Sequence, residues 1–214
     1  MDHAYWGQEY DADAIMAALA ESGLASKLVD DDSKLIELTI DRLTSGKVVG
    51  WFQGRFEWGP RALGNRSIIA DPRRGDMKDI VNNKIKFREP FRPFAPSVLA
   101  EELPKYFDVP DAGFDMPNRF MLLVVPVNAE HAGTIPAVNH MGTARPQAVH
   151  KETNSLYYNL IERFRVASGV PLILNTSFNV RGEPIVNSPE NAINTFLNSG
   201  IDTLVMGNYL VDKP

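Results

Sequence analysis

The 214 residues, 44% hydrophobic and 23% charged, suffice for one large domain or two small ones with a sizeable core. With no cysteine there is no disulfide framework, thiol nucleophile or sulfur-ligated metal, and the longest apolar runs are too short to span a bilayer. A formal charge of -5 disfavours a broad nucleic-acid surface but allows a local anion pocket, and an N-terminus without a basic-then-apolar leader fits a cytoplasmic setting.

Residues 1–45 carry ten acids against three bases and read as an acidic helical lead-in to a domain over residues 46–214. Ala14, Ile15, Ala18 and Leu19 share one side of a helix over 11–21 that Gly23 ends. Ser33 is placed to cap a second helix running through Leu35, Leu38 and Leu43 to Gly46, and Asp30, Asp31 and Asp32 read as a solvated rim. A buried strand over 48–52 delivers the chain to a loop rich in glycine and arginine. Ile68-Ile69-Ala70 is a short strand that Asp71-Pro72 breaks, and a short helix covers 76–85. Pro90, Pro93 and Pro96 demand an extended path after Arg88.

The apolar run 120–125 reads as a core strand. A helix starts near Thr153 or Asn154, with Leu156, Leu160, Ile161 and Phe164 facing inward. A strand over 171–174 ends in the polar run Asn175-Thr176-Ser177-Phe178-Asn179. Ser188-Pro189-Glu190 starts another helix, and strands over 203–206 and 209–211 flank a Gly207-Asn208 turn. Helices and strands interleave throughout, which places the chain in the α/β class, as one domain around a mixed sheet.

Between Trp51 and Arg92 there are ten Lys/Arg against five Asp/Glu, a surplus of five in an acidic chain. Four basic clusters sit at sharp backbone breaks: Arg61/Arg66, Lys84/Lys86 with Arg88/Arg92, Arg145, and Arg181. Any one alone reads as a surface residue paired with an acid. Together, each beside a core strand, they are placed to aim guanidinium forks, with loop N–H groups, at phosphoryl oxygens in one cleft. Ser177 has no histidine and acid partner, so a serine-hydrolase reading fails. Asn175 and Asn179 suit recognition, donating to phosphate or ribose and accepting from adenine. No Walker-type phosphate loop is present. Trp51 and Phe52 read as strand packing rather than a base-stacking platform. Phe87, Phe91 and Phe94 are either core or an apolar wall for adenine.

The segment from Trp51 through Gly59-Pro60-Arg61-Ala62-Leu63-Gly64-Asn65-Arg66-Ser67-Ile68 resembles the signature opening of the C-terminal domain of the carbamoyltransferases that modify nodulation factors and antibiotics. The resemblance continues through Asp71-Pro72-Arg73, Asn82-Asn83-Lys84-Ile85-Lys86, Arg88-Glu89-Pro90-Phe91-Arg92-Pro93-Phe94-Ala95-Pro96, Gly142-Thr143-Ala144-Arg145-Pro146-Gln147 and the stretch from Asn175 to Ile185. These segments cover most of residues 46–214 in the family's order.

The resemblance implies a YrdC-like fold, a twisted mixed sheet with flanking helices. It also implies formation of carbamoyladenylate from carbamoyl phosphate and ATP, with magnesium, releasing phosphate and pyrophosphate. A separate N-terminal kinase-like domain, absent from this chain, would pass the carbamoyl group to an acceptor hydroxyl. By position, Arg61 and Lys86 with Arg92 would hold carbamoyl phosphate. Arg145 with the Gly142-Thr143 turn, and Ser177 with Arg181, would receive the nucleotide phosphates. Lys86, Arg92 and Arg145 are thus expected to be catalytic, and Arg61, Asn175, Ser177, Asn179 and Arg181 to bind nucleotide. His140-Met141-Gly142-Thr143 departs from the family's His-x-Asp-Gly-Thr. That leaves the magnesium ligand unassigned, with no metal residue named and Asp71 read as a loop cap. The alternatives are formation of threonylcarbamoyladenylate from threonine, bicarbonate and ATP, or a non-catalytic nucleotide- or RNA-binding module.

Overall fold

The structure, a computed structural model, describes residues 1–89, 91–109 and 115–213. Asp11 caps α1 (Ala12–Ser22) through the Ala14 N–H, and Gly23 closes it in a left-handed conformation. A two-residue strand β1 (Lys27–Leu28) precedes α2 (Asp32–Thr44), and β2 (Val49–Phe52) and β3 (Arg66–Ala70) follow. Next come α3 (Met77–Val81), a π-helical turn over Asn82–Lys86, and β4 (Ala95–Leu99). The short helices α4 (Leu103–Tyr106) and α5 (Asp115–Arg119) lead to β5 (Val125–Pro126), β6 (Thr143–Ala144) and β7 (Gln147–Val149). The chain ends with α6 (Ser155–Ser168), β8 (Leu172–Ser177), α7 (Pro189–Leu197), β9 (Thr203–Met206) and β10 (Tyr209–Asp212).

Among the described residues, eight strands form one mixed, open sheet in the order β1-β10-β9-β2-β3-β8-β4-β7. The β2–β9 and β4–β7 pairs are parallel and the others antiparallel. Every residue of β2, β3, β4 and β9 is buried, as a sheet covered on both faces requires. Helix α6 packs on β4, β8 and α2, whereas α7 packs on β2, β9 and α1. The acidic lead-in shares this core: Ile15, Leu19, Leu35 and Leu43 belong to the same cluster as Trp51 and Phe196, and β1 extends the sheet at its edge.

Several expectations need correction. The run 120–125 is not a core strand; only its last residue enters β5, and Leu122 and Val124 are 64% and 67% exposed. The turn after α5 takes its place, with the Phe120 and Leu122 N–H groups donating to the Pro117 carbonyl and Met121 at φ +54°. Ser33 does not cap α2. The Asp31 carboxylate does so, accepting from the Ser33 and Lys34 N–H groups. The segment after Arg88 is not extended throughout, because the Arg92 N–H donates to the Glu89 carbonyl in a turn before β4; Pro90 lies outside the described residues. Strand β8 runs past Leu174 and pairs Asn175, Thr176 and Ser177 with β3. The first three residues of the polar run are therefore held in the sheet, and Phe178 and Asn179 follow it.

Gly64 sits where only glycine fits, at φ +109° with an added Cβ 2.3 Å from the buried Tyr157 ring. Gly64→Ala is expected to cost about 3 kcal/mol, from overpacking and backbone strain together. Urea denaturation measures it, and an unchanged midpoint would show that α6 gives way freely.

Candidate anion-binding active site

A polar cavity of about 80 Å³ opens between the loop before β3, the segment before β4 and the end of β8. Arg61, Arg88 and Arg145 line it together with Asn175, Thr176 and Ser177. The Nε atoms of all three arginines are buried without a hydrogen-bond partner, as is Asn175 Oδ1. Among the described residues, no carboxylate pairs with any of these guanidinium groups within 4 Å. Burial, then the charges of Arg92 and Arg145, push the Arg88 pKa down. Burial and Arg61 do the same to Arg145. Positive charge is thus gathered with little internal compensation beyond Glu89 near Arg88, which is costly unless an anion completes the site.

Neighbouring strands hold the floor. Asn175 Nδ2 donates to the Ala62 carbonyl at 3.0 Å and Ser97 Oγ at 2.9 Å, and Gln147 Nε2 donates to the Leu63 carbonyl at 2.7 Å. Strands β7 and β8 thereby grip the backbone that carries Arg61, and Ser97 of β4 braces both side chains.

A larger cavity of about 410 Å³ adjoins the first, sharing Pro93, Phe94, Ala95 and Arg145. Phe91, Arg92, Val124, His140, Thr143 and Ala144 complete its walls, which are mainly apolar. Of the three phenylalanines read as core or wall, Phe94 is buried and lines both cavities, Phe91 is exposed on the larger one, and Phe87 is exposed and lines neither. Arg92 also remains largely exposed, 3.8 Å from Glu89.

Lys86 lies behind the pocket floor rather than in it. Buried at 5% exposure, its Nζ donates to the Ser177 carbonyl (2.6 Å), Ser177 Oγ (3.2 Å), the Asn179 carbonyl (2.9 Å) and Asn179 Oδ1 (2.7 Å). Ser177 Oγ donates in turn to Asn179 Oδ1 at 2.7 Å. Asn179 therefore spends its amide on Lys86, Ser177 and the Glu183 carbonyl. Arg181 is exposed, donates to the Phe87 carbonyl at 3.1 Å and lines neither cavity.

Arg66 does not face the pocket. It is fully buried in β3, its guanidinium 3.7 Å over the Phe52 ring and donating to the Gln53 and Gly54 carbonyls. The sequence reading placed Arg88 in a basic cluster with Lys86 and Arg92 but gave it no role of its own, and it passed over Glu57. Arg88 follows Phe87, whose left-handed φ of +46° reverses the chain after the π-helical turn and returns the next side chain to the pocket. Its spacing from Lys86, on the far side of one exposed residue, was the available signal. Glu57 is 1% exposed and carried no sequence signal.

The family model for the carbamoyltransferase C-terminus matches residues 40–213. The chain belongs to that family. This carbamoyltransferase C-terminal domain is 44% identical over 215 residues to the nodulation protein NolNO of Sinorhizobium fredii, covering 100% of the chain and 31% of the relative. It is 38% identical over 167 residues to the 3'-hydroxymethylcephem-O-carbamoyltransferase of Amycolatopsis lactamdurans, covering 78% of the chain and 31% of the relative. The chain thus spans about a third of the length of these relatives. Among solved structures, Sua5 of P. abyssi, complexed with L-threonine, superposes with a TM-score of 0.60 at 16% identity, covering 83% of this chain and 48% of that one. Full-length HypF, in a phosphate- and nucleotide-bound form, gives 0.54 at 19% identity, covering 83% and 25%. The fold of this carbamoyltransferase domain is YrdC-like, with the open mixed sheet described above.

Asp71 in this domain is a loop cap. Its carboxylate, 2% exposed, accepts from the Arg73 backbone at 2.9 Å and guanidinium at 2.6 Å. Among the described residues, no group of three or more His, Asp or Glu comes together, and no carboxylate lines the arginine pocket. Among the described residues these side chains offer magnesium no ligand set. No helix of the described residues is long and apolar enough to cross a membrane.

Proposed function

We propose that this domain makes carbamoyladenylate from carbamoyl phosphate and ATP, as the activating half of an O-carbamoyltransferase. The observation that carries the reading is the set of three buried, unpartnered arginine Nε atoms around one polar cavity. Family membership, and relatives that carry the name O-carbamoyltransferase, supply the reaction class. Water releases inorganic phosphate from carbamoyl phosphate and leaves carbamate. A carbamate oxygen then attacks the α-phosphorus of ATP, and the bond to pyrophosphate breaks. Arg61, Arg88 and Arg145 would stabilise the charge that builds on the phosphoryl oxygens, and the apolar cavity beside them is large enough for the adenine. Lys86, Ser177 and Asn179 would act by holding the end of β8 in place. No covalent protein intermediate is required, so positioning and electrostatics suffice. Acceptor choice and final transfer would fall to a further, kinase-like domain.

The purified domain is expected to incorporate labelled pyrophosphate into ATP only when carbamoyl phosphate is supplied. Exchange that needs threonine and bicarbonate instead would move the assignment to threonylcarbamoyladenylate formation. No exchange, together with salt-sensitive RNA binding, would make the domain a binding module.

A further inference from the structure

Glycine-rich loops often bind phosphoryl groups with backbone N–H groups left free for the purpose. In the second half of this loop those groups are already taken, the Gly64 N–H by Ser67 Oγ at 3.2 Å and three others by Glu57. Glu57 Oε1 accepts from the Leu63 N–H at 2.7 Å and the Asn65 N–H at 2.8 Å, and Oε2 accepts from the Arg66 N–H at 3.1 Å. Burial pushes the Glu57 carboxyl up from 4.5 to about 7 against its three N–H donors and the Arg66 charge. Above that pH the protein's own anion fills the seat that a ligand phosphate would otherwise occupy. Arg61 lies on the loop between this carboxylate and the amides that it holds.

We propose that Glu57 is a positioning residue that closes the loop over residues 57–66 and so presents the Arg61 side chain to the anion pocket. The other surfaces of the loop are pinned to match. The Leu63 carbonyl accepts from the Tyr5 hydroxyl at 2.9 Å, and the Gly64 carbonyl accepts from Trp51 Nε1 at 2.9 Å. Asn175 holds the Ala62 carbonyl, while Arg66 is committed to the Gln53 and Gly54 carbonyls. With the N–H groups of residues 63–66 spent internally, that half of the loop offers an anion no backbone donor, and Arg61 depends on the loop for its direction. The inference rests on the anion site proposed above.

Its test is a double-mutant cycle on Glu57→Gln and Arg61→Ala, with pyrophosphate and ATP binding measured by calorimetry. Glutamine keeps the size and one acceptor oxygen but removes the charge. It is expected to weaken both ligands about tenfold when Arg61 is present, the order found for residues that orient a binding group, and to have no effect when Arg61 is absent. Equal weakening in both backgrounds, or none in either, overturns the proposal. Amide exchange in the unaltered protein decides the matter should the glutamine variant not fold. The Leu63, Asn65 and Arg66 N–H groups are expected to be protected without ligand and unchanged by pyrophosphate. Protection gained only with pyrophosphate would show that the ligand, not Glu57, takes these amides. If the unaltered protein binds neither ligand, the anion site fails and the inference with it. If Arg61→Ala weakens binding while Glu57→Gln is silent, only the inference falls.

Discussion

Replacing Arg145 with alanine is expected to weaken ATP and pyrophosphate binding sharply while leaving the ligand-free domain at least as stable as before. Arg145 follows β6 and borders both cavities, so its guanidinium sits where a triphosphate would pass from the apolar cavity to the polar one. Its Nε is buried and unpartnered, and burial with the nearby Arg61 charge pushes its pKa down. Losing one charge-assisted contact at a desolvated site costs about 2–5 kcal/mol. That corresponds to roughly 30-fold to several-thousand-fold in affinity. In the ligand-free state the same change relieves like-charge repulsion, so the denaturation midpoint should hold or rise. An arginine that served only the fold would give the opposite pair of results, with stability lost and affinity kept. Calorimetric titration and chemical denaturation of the same variant separate the two.

Lys86→Met should act in the reverse sense, through the scaffold. The substitution keeps much of the side chain's length but leaves the Ser177 and Asn179 carbonyls and Asn179 Oδ1 without the ammonium that bridges them. Breaking such a buried polar cage is expected to cost about 3–5 kcal/mol. The pH dependence gives a sharper signature. Burial, and secondarily the charge of Arg88, push the Lys86 ammonium down from 10.5 to about 7 in the folded protein. Between these values the unfolded chain holds more of this proton than the folded one. The lysine's contribution to stability therefore grows as pH rises from 7 towards 10.5, and is lost as pH falls through 7. The methionine variant lacks this component, so the difference between the two stability curves should widen with pH over that window. Parallel curves would mean that Lys86 stays fully charged inside its oxygen cage.

Much of the fold was legible because local chemistry and tertiary packing agree. The Ser188-Pro189-Glu190 start of α7, the Asn154 cap of α6 and the Gly207-Asn208 turn all appear where the residue types called for them. Strand β2 was equally plain, since a short apolar run before a glycine-rich loop has little alternative to a central strand. The run 120–125 misled for the converse reason. It is apolar enough for a strand, but among the described residues it pairs, through Val125, with the two-residue β6, and the preceding turn diverts its backbone.

By itself the sequence determined the class of fold, the family and the choice of arginine over a Walker-type loop, because residue type and order suffice for each. It could not say which cations share a cavity. Arg61, Arg66, Arg88 and Arg181 are alike in a string of letters, yet one is buried against Phe52, one reaches the Phe87 carbonyl, and only Arg61 and Arg88 join Arg145 at the pocket. Strand register made that division, by setting β3 beside β8 and β8 beside β4. Glu57 was hidden for the same reason. This carboxylate's partners are backbone N–H groups that every residue but proline possesses, and only the folded loop decides which of them it meets.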